Sequence, residues 1–282
     1  MNTPRQGVAA IFGGDRLKHW IILLILAVEL LPFYMMVQIS VKDNRMFLAN
    51  PWLPGAPGLW HWDNFLYAFG VIVPYVANTV FVATLATACG LFFALLGAYF
   101  FARYEMPLGR VLWAAFLLLM LLPGVANIVP LFALLKEMRL LNTLWALIII
   151  GMAGMQVFAI YVLRNFIEEI PSSLFEAAEM DGASHFQQLV RIVIPLSGPI
   201  IGTLAILKFL GAWNDFLMPL IVLRDPELFT IGVGLIYLDG EYVKHWGRIM
   251  AAFLVASLPL IITFLLAMKL FVRGLSSGAV KG

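Results

Sequence analysis

Over most of this chain apolar residues do not alternate with polar ones at the period of an amphipathic helix or a half-buried strand; they run on unbroken. Residues 64–102, 111–135, 140–163 and 249–268 contain no Asp, Glu, Lys or Arg. A hydrocarbon layer roughly 30 Å thick is crossed by about 20 helical residues, and a helix satisfies its own backbone hydrogen bonds there. Each of these runs therefore predicts a membrane-spanning helix. Two more are predicted at 19–39, apolar except for Glu29, and at 199–223, apolar except for Lys208 and Asp215. The expected fold is an all-α integral membrane protein with about six transmembrane helices. A tail at 1–18 precedes a single transmembrane domain over 19–282, whose last part, 269–282, is a second tail. The first run follows Arg5, Arg16 and Lys18 as a secretory signal would. It is too long for a signal's apolar region and no A-x-A site follows, so it reads as a retained anchor.

Composition narrows the function. The chain is 62% apolar and 12% charged, with a mean hydropathy of +0.95, whereas soluble domains lie nearer half and a quarter. Six crossings and their loops use up the 282 residues, leaving no room for a separate soluble catalytic domain. The formal charge of +2 is small and the basic residues are scattered, which excludes nucleic acid as a partner. Cys89, the single cysteine, excludes an intrachain disulfide or a thiolate zinc cluster and suits a small packing residue. His19, His61, His185 and His245 are scattered over interfaces and loops with no H-E-x-x-H pair, so no catalytic or metal-binding residue is nominated and a membrane-embedded enzyme is disfavoured. With a cytoplasmic N-terminus, the inside segments hold ten Lys and Arg residues against seven outside, counting all but Lys208. That bias places both termini in the cytoplasm.

Local signals add detail. Ala86, Gly90, Ala94 and Ala98 recur every four residues in the second run, a small-residue stripe that serves packing within the subunit or contact between subunits. Pro123 with Gly124, and Pro130, predict a kink or unwinding in the third run. The loop at about 40–75 carries Trp52, Trp60 and Trp62 among prolines, suited to a membrane interface or a docking surface.

The most polar stretch, Arg164 to Pro199, reads as two short helices. Ser173 with Glu176 fits a capping box, and Gly182 supplies the left-handed stop. Ser184 with Gln187 fits a second capping box. Phe186, Leu189, Val190, Val193 and Ile194 then fall on one face, with Gln187, Gln188 and Arg191 opposite, and Pro195 ends the helix. By periodicity alone this is equally a loop lying on the membrane surface. Glu176-Ala177-Ala178, then Gly182, then Ile194-Pro195, in the last large polar loop, resembles the EAA motif of ABC importer membrane subunits. Ala77-Asn78-Thr79, Ala98-Tyr99-Phe100-Phe101-Ala102-Arg103 with Pro107, Ala212-Trp213-Asn214-Asp215 and the tail Gly274 to Gly282 are similar to the carbohydrate branch, and the tail to its MalG-type subunits. Ile194 stands where that family usually has leucine, and Glu29 and Lys208 stand at positions usually apolar.

The resemblance implies a type I importer permease fold in a bacterial inner membrane. The coupling segment would lie at about 164–198, with Glu176, Ala177, Ala178, Asp181, Gly182, Ile194 and Pro195 facing an ATPase. Implied partners are a second homologous permease subunit, two cytoplasmic ATPase subunits, an extracytoplasmic solute-binding protein and a sugar. The chain has no G-x-x-x-x-G-K-[ST] loop and so no phosphate cradle of that kind; no cofactor is expected in it, ATP and Mg being held by the ATPases. Charges inside a membrane usually face a cavity or a partner. Glu29 and Lys208 are expected to neutralise each other, and Lys208 and Asp215, seven residues apart, to share a helical face. Trp213 and Asn214 beside Asp215 suit a sugar path through stacking and hydrogen bonding. Packing between helices is the plainer reading of that stretch. An ion-gradient-driven secondary transporter, which also uses broken helices and buried carboxylates, is the alternative on Glu29 and Asp215, though no clear inverted repeat is visible.

Overall fold

The computed structural model describes residues 16–104, 107–122, 124–238 and 244–279, and for 16–17, 125–126 and 266–279 the backbone alone. Most of the expected N-terminal tail, Pro123 and the last three residues lie outside these. The described secondary structure is helical: α1 Arg16–Ser40, α2 Asn44–Ala49, α3 Asp63–Arg103, α4 Gly109–Leu118, α5 Ile128–Glu137, α6 Leu144–Ala153, α7 Gln156–Glu168, α8 Ser172–Met180, α9 His185–Gln188, α10 Ile194–Leu196, α11 Gly198–Trp213, α12 Leu217–Val222, α13 Ile231–Tyr237 and α14 Trp246–Ala279. The chain divides into one unit of 1–71 with 238–255 and another of 72–237 with 256–282.

By length and apolarity, the segments 18–40, 63–103 and 246–265 are single helices fit to cross a membrane. Two further candidates are bent pairs: α6 with α7 at 42°, and the helical run 185–196 with α11 at 80°. This makes three to five candidate spans among the described residues where about six were expected. The shortfall comes mainly from the third run, which is two ten-residue helices, α4 and α5, separated by 3-10 turns at 119–121 and 124–127. Pro130 does not cause that break, for it sits in the first turn of α5, where its missing N–H would have had no intrahelical partner. The last helix continues past the expected boundary at 268 to Ala279.

In the first unit, α1 turns apolar side chains outward along most of its length, and Glu29 is exposed among them. At its end the chain folds tightly on itself. The buried Lys42 amine donates to the Asn50 carbonyl at 2.7 Å, Asp43 caps α2 through the Met46 N–H at 2.7 Å, and the Asn64 amide donates to the carbonyls of Ser40 and Lys42. A Cβ on Gly247 would collide with the Lys42 carbonyl oxygen, so α14 starts against this turn because residue 247 has no side chain. In the tryptophan loop, Trp60 Nε1 donates to the Gly55 carbonyl at 2.9 Å, while Trp52 and Trp62 are exposed.

The second unit is built around α3. Its small-residue stripe is spent inside the subunit: Ala86, Gly90, Ala94 and Ala98 are all buried. A Cβ on Gly151 of α6 would lie 2.9 Å from Ala86 Cβ, and one on Gly97 2.9 Å from Ile160 of α7, so the helices meet almost backbone to backbone. One apolar cluster joins Ala94, Leu95 and Tyr99 to Ile160, Leu163 and Ile167 of α7, Phe175 of α8, and Leu189, Val193 and Leu204. A second joins Val82 to Leu135, Leu147, Val222, Phe229 and Val233.

Candidate coupling hairpin and transmembrane cavity

The segment between α7 and α11 forms a hairpin of short helices. The first, α8, opens at Ser172 with Pro171 as its cap residue and no side-chain cap bond. The expected Ser173–Glu176 capping box is therefore absent, because Pro171 already sets the chain direction and Ser173 falls inside the first turn. The other end follows the sequence closely. Gly182 has φ +77°, its N–H donates to the Glu179 carbonyl at 3.0 Å, and the Ala183 N–H donates to the Ala178 carbonyl at 2.8 Å. These two bonds make a Schellman motif, which satisfies the last carbonyls of α8. Ser184 then starts α9 with both bonds of a capping box: Gln187 N–H to Ser184 Oγ at 3.4 Å, and Ser184 N–H to Gln187 Oε1 at 2.8 Å.

Beyond α9 the chain takes a π turn over Leu189–Val193, in which the Ile194 N–H donates to the Leu189 carbonyl, before α10 and the bend at Ser197. Pro195 thus lies inside a continuing helical run rather than at its end. The wider turn rotates each residue by less than the roughly 100° of an α-helix, so the buried face shifts. Gln188, Leu189 and Val193 are buried, whereas Phe186, Val190 and Ile194, expected on the apolar face, are exposed.

Of the nominated coupling residues, Glu176, Ala177, Asp181 and Gly182 are exposed, as are Ile194 and Pro195, and Ala178 is half-buried. Ala178, Asp181 and Gly182 meet Gln187 and Arg191 around a recess of about 300 Å³; Ile194 and Pro195 do not line it. The residues that fasten the hairpin were not singled out from the sequence. The Arg103 guanidinium lies 4.0 Å above the Phe175 ring, and the Tyr99 hydroxyl donates to Gln188 Oε1 at 2.9 Å. A buried Phe in an otherwise polar loop, and Tyr99 with Arg103 one turn apart on α3, are the signals that point to them.

The intramembrane charges are arranged differently from expectation. Lys208 on α11 is buried, and its ammonium donates to the carbonyls of Gly154 and, at 3.4 Å, Met152. These carbonyls belong to the end of α6, where the chain bends with Met155 at φ 55°. A helix C-terminus presents unpaired carbonyls and a partial negative charge, so a lysine there serves as a cap. Backbone carbonyls, rather than Glu29, satisfy Lys208. Its stem occupies the space left by Gly90, where a Cβ would lie 2.5 Å from Lys208 Cε. Lys208 and Asp215 both line a cavity of about 300 Å³ with Gly151, Gly154, Met155 and Gly211, but not from the one helical face that their spacing predicts, because α11 ends at Trp213, before Asp215. Asp215 Oδ1 accepts from the Met218 N–H at 3.3 Å. Trp213 is buried and stacked on Phe209 at 5.7 Å, and the Asn214 amide donates to the Leu210 carbonyl; neither lines the cavity.

Residues 87–277 match the family described as "Binding-protein-dependent transport system inner membrane component". The chain is 34% identical to the "Probable ABC transporter permease protein YurM" of Bacillus subtilis over 93% of its own length and 88% of the relative's. It is 32% identical to the "Trehalose/maltose transport system permease protein MalG" of Thermococcus litoralis over 90% of its length and 92% of the relative's. Its fold is similar to that of a subunit in a crystal structure of a bacterial ABC transporter involved in import of the acidic polysaccharide alginate. The TM-score is 0.78 at 21% identity, covering 95% of this chain and 99% of that one.

Proposed function

Since the chain belongs to the family of inner membrane components of binding-protein-dependent transport systems, we propose that it forms half of the passage of an ATP-driven importer for a sugar or oligosaccharide. The observation that carries this reading is the exposed hairpin at Glu176–Gly182, stiffened by a Schellman motif and a capping box. A capped, rigid, solvent-facing element suits a lever on which a separate motor acts. On this reading Glu176, Ala177, Ala178, Asp181 and Gly182 seat in a cytoplasmic ATPase subunit, with Ile194 and Pro195 at the root of the lever. Two ATPases hold ATP and Mg, a second homologous permease completes the passage, and an extracytoplasmic solute-binding protein delivers the solute. Both termini lie on the ATPase side. The trehalose/maltose relative supports a carbohydrate as cargo.

Asp215 opens on the cavity beside Lys208 and supplies a hydrogen-bond acceptor for a hydroxylated solute. Trp213 and Asn214 join the path only in a conformation that frees Trp213 from Phe209. Reconstitution of the full complex in liposomes tests the reading, with labelled trehalose and maltose as probes. Uptake is expected to require ATP on the hairpin side and to survive ionophores. Uptake that continues without nucleotide and collapses with the proton or sodium gradient would overturn it in favour of a secondary transporter.

A further inference from the structure

Tyr99, near the end of α3, is shielded from solvent, and its hydroxyl is engaged by the hairpin rather than by its own helix. It donates to Gln188 Oε1 at 2.9 Å and lies 3.1 Å from His185 Nδ1. Gln188 Nε2 in turn reaches Glu179 Oε1 at 3.4 Å. One turn further along α3, Arg103 covers the ring of Phe175, which is wholly buried. Positions four apart share a helical face. A single face of α3 therefore grips both helices of the hairpin, Phe175 on α8 and His185 with Gln188 on α9, and the Gln188 amide ties α9 back to α8.

We propose that Tyr99 is the positioning residue that locks the coupling hairpin to α3, so that a displacement of the hairpin becomes a displacement of α3. This rests on the reading that the hairpin is the part on which the ATPase acts. Apolar burial is non-directional, and side chains packed by it alone can slide past one another under load. A buried hydrogen bond between a phenol and an amide has one good geometry and leaves costly orphans elsewhere. The Tyr99–Gln188 bond therefore fixes a register that the surrounding leucines and valines do not. The same helix carries Gly90 nine residues earlier, about 14 Å away along the axis, and Gly90 seats the Lys208 stem beside the cavity. One rigid element thus runs from the hairpin to the cavity wall.

The test uses the assembled transporter with Cys89→Ser to remove the native thiol, and spin labels on Phe93→Cys, an exposed position of α3, and Ser173→Cys, an exposed position of α8 outside the residues assigned to the ATPase contact. Electron–electron resonance should give one narrow distance that is unchanged by ATP with vanadate, because the two elements move together. In Tyr99→Phe, which deletes only the hydroxyl, a second population should appear with nucleotide, its share raised about fivefold to thirtyfold over the parent. His185→Ala, a milder change at an exposed partner, should raise it less, and it alone decides if Tyr99→Phe does not assemble. Distances that shift with nucleotide in the parent, or variants whose distributions match the parent in both states, overturn the proposal. Crosslinking of Ala177→Cys to the ATPase subunit reports separately on the coupling reading. Failure of that arm alone removes the motor, not the lock.

Discussion

Gly182 offers the sharpest test of how the hairpin works. Its φ of +77° lies in the left-handed region, and a Cβ built there meets nothing within 4 Å. Substitution therefore brings no clash within the subunit, and its cost is that of holding an L-residue left-handed. That cost is about 1–2 kcal/mol for alanine, more for a β-branched residue, and least for asparagine. A cost of that size changes the ratio of formed to unformed hairpin about fivefold to thirtyfold. Binding-protein-stimulated ATP hydrolysis by the reconstituted complex should accordingly fall in the order Gly, Asn, Ala, Val, while the amount of permease inserted in the membrane stays level. The order separates two causes. If Gly182→Asn were as harmful as Gly182→Val, bulk against the ATPase would govern instead of backbone strain. If Gly182→Val hydrolysed ATP like the parent, the Schellman turn would have no part in coupling.

Two further outcomes follow from the turn after α1. Gly247→Ala drives a Cβ into the Lys42 carbonyl, a backbone atom that cannot swing aside. It should cost about 1–3 kcal/mol or more as overpacking does, read as a lowered melting temperature in detergent; an unchanged melting temperature would show that α14 does not press on this turn. Burial holds the Lys42 amine below its ordinary value of 10.5. The folded state thus binds fewer protons than the unfolded chain from the depressed value up to about 10.5, and stability rises with pH across that window. Lys42→Met should flatten the rise in melting temperature as the pH climbs toward 10.5, and equal slopes in parent and variant would contradict the assignment.

What could be read from the sequence is what depends on residue type alone. The charge-free runs at 64–102 and 249–268 announce long apolar helices, a glycine between two helical patterns announces a left-handed stop, and Ser184 with Gln187 announces its capping box, because each signal is local. The helix α8 starts two residues before the point that Ser173 marks, since a cap depends on the backbone angles of Pro171 as well as on a serine nearby. Val190 and Ile194 leave the apolar face that periodicity predicts because a π turn changes the phase of the helix, and periodicity assumes a constant phase. Lys208 illustrates a deeper limit. Its partners are backbone carbonyls at a helix end, and carbonyls are the same in every sequence, so residue types point to Glu29 and not to them. Tyr99 lies 89 residues from Gln188. Its work is visible once the chain has folded, because a hydrogen bond between distant segments leaves no periodic trace in either. A buried polar residue within an apolar helix is therefore better read as an attachment point for a specific partner than as noise in a hydrophobic pattern. That reasoning applies to Lys208 and Tyr99 alike, since desolvation makes each too costly to keep unless a specific partner is held in place.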